Sequence, residues 1–305
     1  MRKYKLTQHL KELCEQNPEY ANLYSTWNLN QKTCSDLLKN VVLHYPHFSL
    51  HDASHAEAVL SKMEMVLGDR IQNLSPTDTW LLLHAAYAHD LGMVLEWERI
   101  ETKWKEPDFQ DWLADQEKSQ DADLRKAIAF IRKAHDLGEE ADWPLETRRC
   151  VSLIDEAFFR AKHAQMSKEY IEFIRPELGL DLGHNNLIQP RLIKLLGQIC
   201  KLHTDPLSSV LKLDAETNGF NSDYAHPGFV AMMLRLGDLL DVDNGRFNKG
   251  ALAASGGLPG TSKPHLEKHE ATTHLLVTPK EIRFRSDCPN SESYLEARRF
   301  VTWLE

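Results

Sequence analysis

Apolar residues recur at helical spacing in Leu37–Val42, Ala58–Leu67, Ala127–Ile131, Val151–Phe159, Leu192–Leu202 and Phe229–Leu240. A repeat of about 3.6 residues lays such positions along one face of an α-helix, so nearly all of the chain up to about residue 243 reads as helix. Pro46, Pro76, Pro107, Pro144, Pro176, Pro190, Pro206 and Pro227 punctuate these segments. Several stand where a helix begins and a missing N–H does no harm. The clearest start is Ser75-Pro76-Thr77-Asp78. Here Ser75 is the expected N-cap, Pro76 opens the first turn, and Asp78 is expected to reach back as in a capping box.

Two stretches depart from this pattern. Residues 96–123 are highly charged, with Trp97, Trp104 and Trp112 interleaved. They read as an amphipathic surface insertion, a candidate lid, with the tryptophans there for packing. Residues 244–272 hold five glycines and read as loop. THLLVTPKEIRFRS (273–286) then alternates on both sides of Pro279-Lys280-Glu281, a hairpin signal. The expected organisation is a helical domain over 1–243, followed by loop, hairpin and a last amphipathic helix over 244–305. That helix is still running at Glu305 without a C-cap, the pattern expected either of a fragment leading into a further C-terminal domain or of a terminal helix that frays.

Composition narrows the class. With 305 residues, 42% of them hydrophobic and 27% charged, the chain can bury a sizeable core, as one large domain or one domain with an appendage. No apolar run approaches a membrane span, and the N-terminus turns charged too soon for a secretory signal. Five cysteines lie scattered without a CxxC pair, which fits reduced thiols in a cytoplasmic protein and not a cysteine-held zinc. A net charge of −9 weighs against a broad nucleic-acid surface, although cations in a cleft would reverse the sign locally.

AHDLG occurs twice, at 88–92 and 134–138. The first copy ends TWLLLHAAYAHDLGM, a helix apolar almost all round and therefore buried, so an ionisable His89-Asp90 pair at its end needs a partner. A metal ion would serve, with Gly92 turning the chain away to leave the pair facing a cavity. The second copy closes an amphipathic helix and runs into EEAD, so His135 and Asp136 read as solvated surface. Further histidines and acids sit in or at the ends of other apolar helices: His55, His163, His203, and Asp238 or Asp241. Imidazoles with carboxylates suit Mn, Fe, Ni, Co or Zn better than Mg, which would still be accepted. His84 reads as a hydrogen-bonded core residue and His226, before Pro227, as a helix start. Arg160, Arg235 and Arg246 are candidate phosphate clamps, each with solvated charge as its plain alternative.

The order H…HD…H…H…D resembles the HD superfamily of metal-dependent phosphohydrolases, all-helical proteins named for the doublet. His55 matches the family's first ligand, His89-Asp90 the doublet, and Asp238 the closing aspartate of an LRLADLLD-type helix. His163 and His203 match the extra histidines of its dinuclear branches. Met93 and the sequence HTD at 203–205 depart from the HD-GYP pattern. A closer similarity is to bacterial HD domains beside gyrase- and chaperone-type (GHKL) ATPase domains. It rests on His51…His55, HDLGM, Arg160-x-x-His163-x-x-x-Ser167-x-x-Tyr170-Ile171, LRLxDLLDxD and the KPHxxKH-like Lys263–His269 segment, over roughly residues 45–305.

The resemblance implies an all-α HD-domain bundle with a small β-hairpin appendage. It also implies an enzyme holding one or two divalent ions on His55, His89, Asp90, His163, His203 and Asp238. Asp90 would bridge two cations about 3.5–4 Å apart with a hydroxide between them, and Arg160 would neutralise phosphate oxygens. His51, Arg160 and Arg246 are the expected substrate contacts. The substrate would be a phosphorylated small molecule such as a nucleotide or cyclic nucleotide. A nuclease acting on single strands is one alternative; a nucleotide-sensing module regulating a C-terminal ATPase domain or partner is the other.

Overall fold

The computed structural model of the protein describes residues 4–41, 45, 52–137, 144–242 and 263–304. Helices α1 (Lys5–Gln16), α2 (Ala21–Leu38), α3 (Ala53–Leu67) and α4 (Pro76–Ala88) come first, followed by α5 (Trp97–Trp104), α6 (Pro107–Gln116), α7 (Ala122–Leu137), α8 (Pro144–Arg160) and α9 (His163–Glu172). Then come α10 (Pro190–Lys201), the single turn α11 (Leu207–Val210), the two-residue strands β1 (Thr217–Asn218) and β2 (Tyr224–Ala225), and α12 (Pro227–Leu239). The chain closes with α13 (Lys263–Ala271), β3 (Thr272–Val277), β4 (Ile282–Ser286) and α14 (Ser291–Leu304). The architecture is an all-α bundle with a small antiparallel C-terminal hairpin, whose strands pair Leu275 with Phe284 and Val277 with Ile282. Among the described residues no helix is long and apolar enough to cross a membrane.

The prolines behave as read: Pro76, Pro107, Pro190 and Pro227 occupy first turns. Helix α4 is the axis, buried from Thr77 to Ala88 and packed against α1, α2, α3, α10 and α12. Such a helix shows no polar face because every face meets a neighbour. Ser75 Oγ accepts the Asp78 backbone N–H, so the cap is real. The Asp78 carboxylate does not reach back to complete a box. It accepts the His226 backbone N–H (2.8 Å) and pairs with His226 Nδ1 (2.6 Å), tying the start of α4 to the start of α12.

His84 is a core residue. Its Nδ1 bonds the Trp80 carbonyl, its Nε2 meets the Asn30 amide, and burial pushes its pKa down to about 3. The tryptophan-rich insertion is no detached lid. Ile100, Phe109 and Leu113 are buried, and Trp104 donates to Asp155 on α8 at 2.7 Å. Of its three tryptophans, Trp97 stands clear of the bundle, 73% exposed. A smaller apolar cluster joins Leu240 and Val242, just beyond α12, to Val277 and Phe300 of the appendage.

Candidate metal centre

Close packing brings the ends of several helices to one point. The chain passes from α4 through His89 and Asp90 into a 3-10 turn, Leu91–Met93, lodged against α9. Ser167 holds this turn from both sides: its hydroxyl donates to the His89 carbonyl (2.5 Å) and accepts the Gly92 N–H (2.8 Å). Tyr170, one turn further along α9, donates to the Val94 carbonyl at 2.9 Å. The reason for Gly92 differs from the turning role expected of it. A side chain there would lie 2.1 Å from the His163 carbonyl oxygen and 2.5 Å from the Ser167 nitrogen, so glycine permits contact between backbones. Gly237 does the same for α12, where an added Cβ would meet Met63 and Val59 of α3 at 3.0–3.1 Å. That approach carries Asp238 and Asp241 to His55.

Six sequence-predicted residues meet here. His55 Nε2 lies 3.2 Å from His89 Nε2, 3.5 Å from Asp90 Oδ2 and 3.3 Å from Asp238 Oδ1. His89 Nε2 is 3.3 Å from Asp90 Oδ2 and 3.9 Å from Asp238 Oδ1. The other oxygen of Asp90, Oδ1, stands 3.4 Å from His163 Nε2 and 3.9 Å from His203 Nε2, and those two nitrogens are 2.9 Å apart. Asp90 thus divides its carboxylate between two groups of donors. Asp241, the rival of Asp238 in the sequence, is not in the ring. It sits behind His55, with Oδ2 2.7 Å from Nδ1.

The protons of these imidazoles can be placed. Each Nδ1 faces an acceptor: Asp241 for His55, the Ala85 and Ala86 carbonyls for His89, the Arg160 carbonyl for His163 and the Cys200 carbonyl for His203. A neutral imidazole that donates through Nδ1 has only a lone pair at Nε2. Four lone pairs and two carboxylates therefore converge, and pairs such as His163–His203 have no proton to share. A Lewis acid resolves that conflict. Atoms about 2.1 Å from one cation stand about 3.0 Å apart at octahedral angles and about 3.4 Å apart at tetrahedral ones, which brackets most of the spacings here. His55, His89 and Asp90 form one group able to hold a metal ion, and Asp90, His163 and His203 another; His203 also falls in a third grouping with His89 and Asp238.

Electrostatics agree with a cation site. Burial, with His89 and His163 adding to it, lowers the His203 pKa to about 4, so the ring is neutral at pH 7. Burial raises the Asp238 carboxyl, but the close contact with His55 and the neighbouring imidazoles outweighs it and holds it far below the carboxylate range. Helices α4, α10 and α12 all present their C-terminal ends, which carry partial negative charge. Arg235 Nη1 donates to the carbonyls of Leu202, His203 and Asp205, bracing the turn that carries His203.

Arg160 ends α8 near Asp90. Glu156, one turn back, and Asp90 both lie within electrostatic reach of its charge. His51, Arg246 and Asp243 lie outside the described residues, as do the side chains of His135 and Asp136 in the second AHDLG.

Sequence reading missed two acids beside the centre. Burial raises Asp155 to about 7 and Glu156 to about 8, the latter opposed by Arg160 one turn on. The spacing of Glu156 and Arg160 on one helix was the available signal. A folded-state pKa above the unfolded one means stability is full below pH 4 and declines as pH rises through about 8. Glu156→Gln should therefore melt several degrees above the wild type at pH 9 and near it at pH 5, at roughly 2–4 °C per kcal/mol. Equal differences at both pH values in thermal unfolding would contradict the assignment.

Compared with known proteins, the HD-CE family model aligns with residues 45–305. No curated protein and no solved structure matches the chain.

Proposed function

The chain belongs to the HD-CE family, and from that premise we propose that it is a metal-dependent hydrolase of phosphate esters acting on a nucleotide or cyclic nucleotide. The observation that supports this most is the split carboxylate of Asp90, with Nε2 lone pairs on either side of it. His55, His89, Asp90 and Asp238 would hold one divalent ion, and Asp90, His163 and His203 a second. Bound ions of this kind supply Lewis acidity toward phosphoryl oxygens and a nucleophile at neutral pH.

The rest is the work of this chain's own residues. Backbone carbonyls and Asp241 keep every imidazole in the tautomer that aims Nε2 inward. Arg160, at the open side beside Asp90, binds and orients the equatorial phosphate oxygens. His51 and Arg246 are proposed as further substrate contacts. Replacing Arg160 by Ala should lower kcat/KM about 10–100-fold, the value of one charge-assisted hydrogen bond, with metal content unchanged. Steady-state kinetics with metal analysis checks this; a loss of metal instead would make Arg160 structural.

The deciding experiment assays nucleotides, cyclic dinucleotides, a chromogenic phosphodiester and single-stranded DNA and RNA, each with Mn²⁺, Co²⁺, Ni²⁺ and Mg²⁺. Turnover confined to nucleotides supports the proposal. Cleavage of single strands alone would make the protein a nuclease. No turnover with metal bound would favour a sensing module that regulates a C-terminal ATPase. One observation gives that second reading a route. The apolar cluster of the 244–305 appendage includes Leu240 and Val242, two and four residues beyond Asp238, so movement of the appendage would reach the centre.

A further inference from the structure

We infer that the two halves of this centre fill in order: the His55–His89–Asp238 half binds the first divalent cation tightly, the His163–His203 half binds the second weakly, and Asp241 sets much of the difference. This inference rests on the metal-centre reading above.

Three features are unequal between the halves. The first has four donor atoms, two of them carboxylate oxygens, whereas the second has two imidazoles and its share of Asp90. Asp241 then adds a third negative charge behind the first half. Its side chain is 2% exposed and its Oδ2 is 2.7 Å from His55 Nδ1. His163 and His203 are backed only by the neutral carbonyls of Arg160 and Cys200. An imidazole whose N–H meets a carboxylate is the more basic ligand, and removing such a partner typically weakens metal binding about 10–100-fold.

Position separates the halves as well. His55 and His89 are buried, while His163 opens α9 directly after the exposed Arg160, Ala161 and Lys162. Arg160, whose charge lies beside Asp90, opposes a cation entering the second half. Free metal between the two dissociation constants would then leave a protein with one ion, and hydrolysis would follow occupancy of the second half.

The test is an EPR titration of the metal-free full chain with Mn²⁺ alone. One equivalent should give an isolated six-line spectrum, and the spin-coupled spectrum of a bridged pair should grow only toward the second equivalent, with dissociation constants at least tenfold apart. His203→Gln should keep the first step and never show coupling. Asp241→Asn should weaken the first step about 10–100-fold and leave the second, so that the steps merge. Coupled pairs at substoichiometric Mn²⁺, or an Asp241→Asn variant with wild-type constants, would overturn the order. The wild-type titration decides even if the variants fold poorly. Absence of any bound Mn²⁺ would instead remove the metal-centre reading itself, and this inference with it.

Discussion

Asp90→Asn should strip the centre of bound metal and lower turnover on the order of a thousandfold. Each oxygen of Asp90 faces a different set of imidazoles, Oδ2 toward His55 and His89 and Oδ1 toward His163 and His203. Among the described residues no other side chain serves both sets in this way. The amide keeps the shape but removes the charge and offers an N–H₂ to one group of lone pairs. A bound ion contributes several kcal/mol to phosphoryl transfer, and about 1.4 kcal/mol is tenfold in rate, which sets the expected scale. Metal analysis should fall from two ions toward none. His135→Ala, at the second AHDLG, is the control and is expected to stay within about twofold. Equal damage from the two substitutions would show that the repeats were told apart wrongly.

Gly92→Ala should be the most disruptive substitution that touches no proposed ligand. The new methyl would stand 2.1 Å from the His163 carbonyl oxygen, 2.5 Å from the Ser167 nitrogen and 2.8 Å from Met166 Cβ. Two of those are backbone atoms of α9, so relief requires the helix to move away from the turn. Movement breaks both hydrogen bonds of Ser167 and draws His163 away from Asp90. Overpacking of this kind costs about 1–3 kcal/mol or more. The expected result is a clear fall in melting temperature together with loss of the second ion. A variant that melts like the wild type and keeps two ions would mean that the close approach is not required.

Much of this was legible beforehand. Helical spacing located the segments, prolines marked their starts, and alternation about Pro279-Lys280-Glu281 located the hairpin. The apolar surroundings of His89-Asp90 marked the doublet as buried, and motif register picked Asp238 over Asp241. Other features were hidden. Asp78 read as half of a capping box, yet its carboxylate is used by His226, 148 positions away. The tryptophan-rich insertion read as a lid because its charge is conspicuous, whereas Ile100, Phe109 and Leu113 fix it to the core. Arg235 read as a phosphate clamp or a solvated charge, and the sequence held no sign that its Nη1 braces three carbonyls.

What the chain by itself determined is which residues are hidden and which ionisable groups are hidden with them. Period and composition act over a few turns, and an imidazole inside an apolar helix announces its need for a partner. What only the tertiary structure decided is who those partners are. His55 and Asp241 meet across 186 positions because Gly237 lets α12 touch α3, and His163 reaches Asp90 because Gly92 lets α9 touch the turn after α4. A helical stripe states that a face will be covered; steric fit between whole helices chooses the face that covers it.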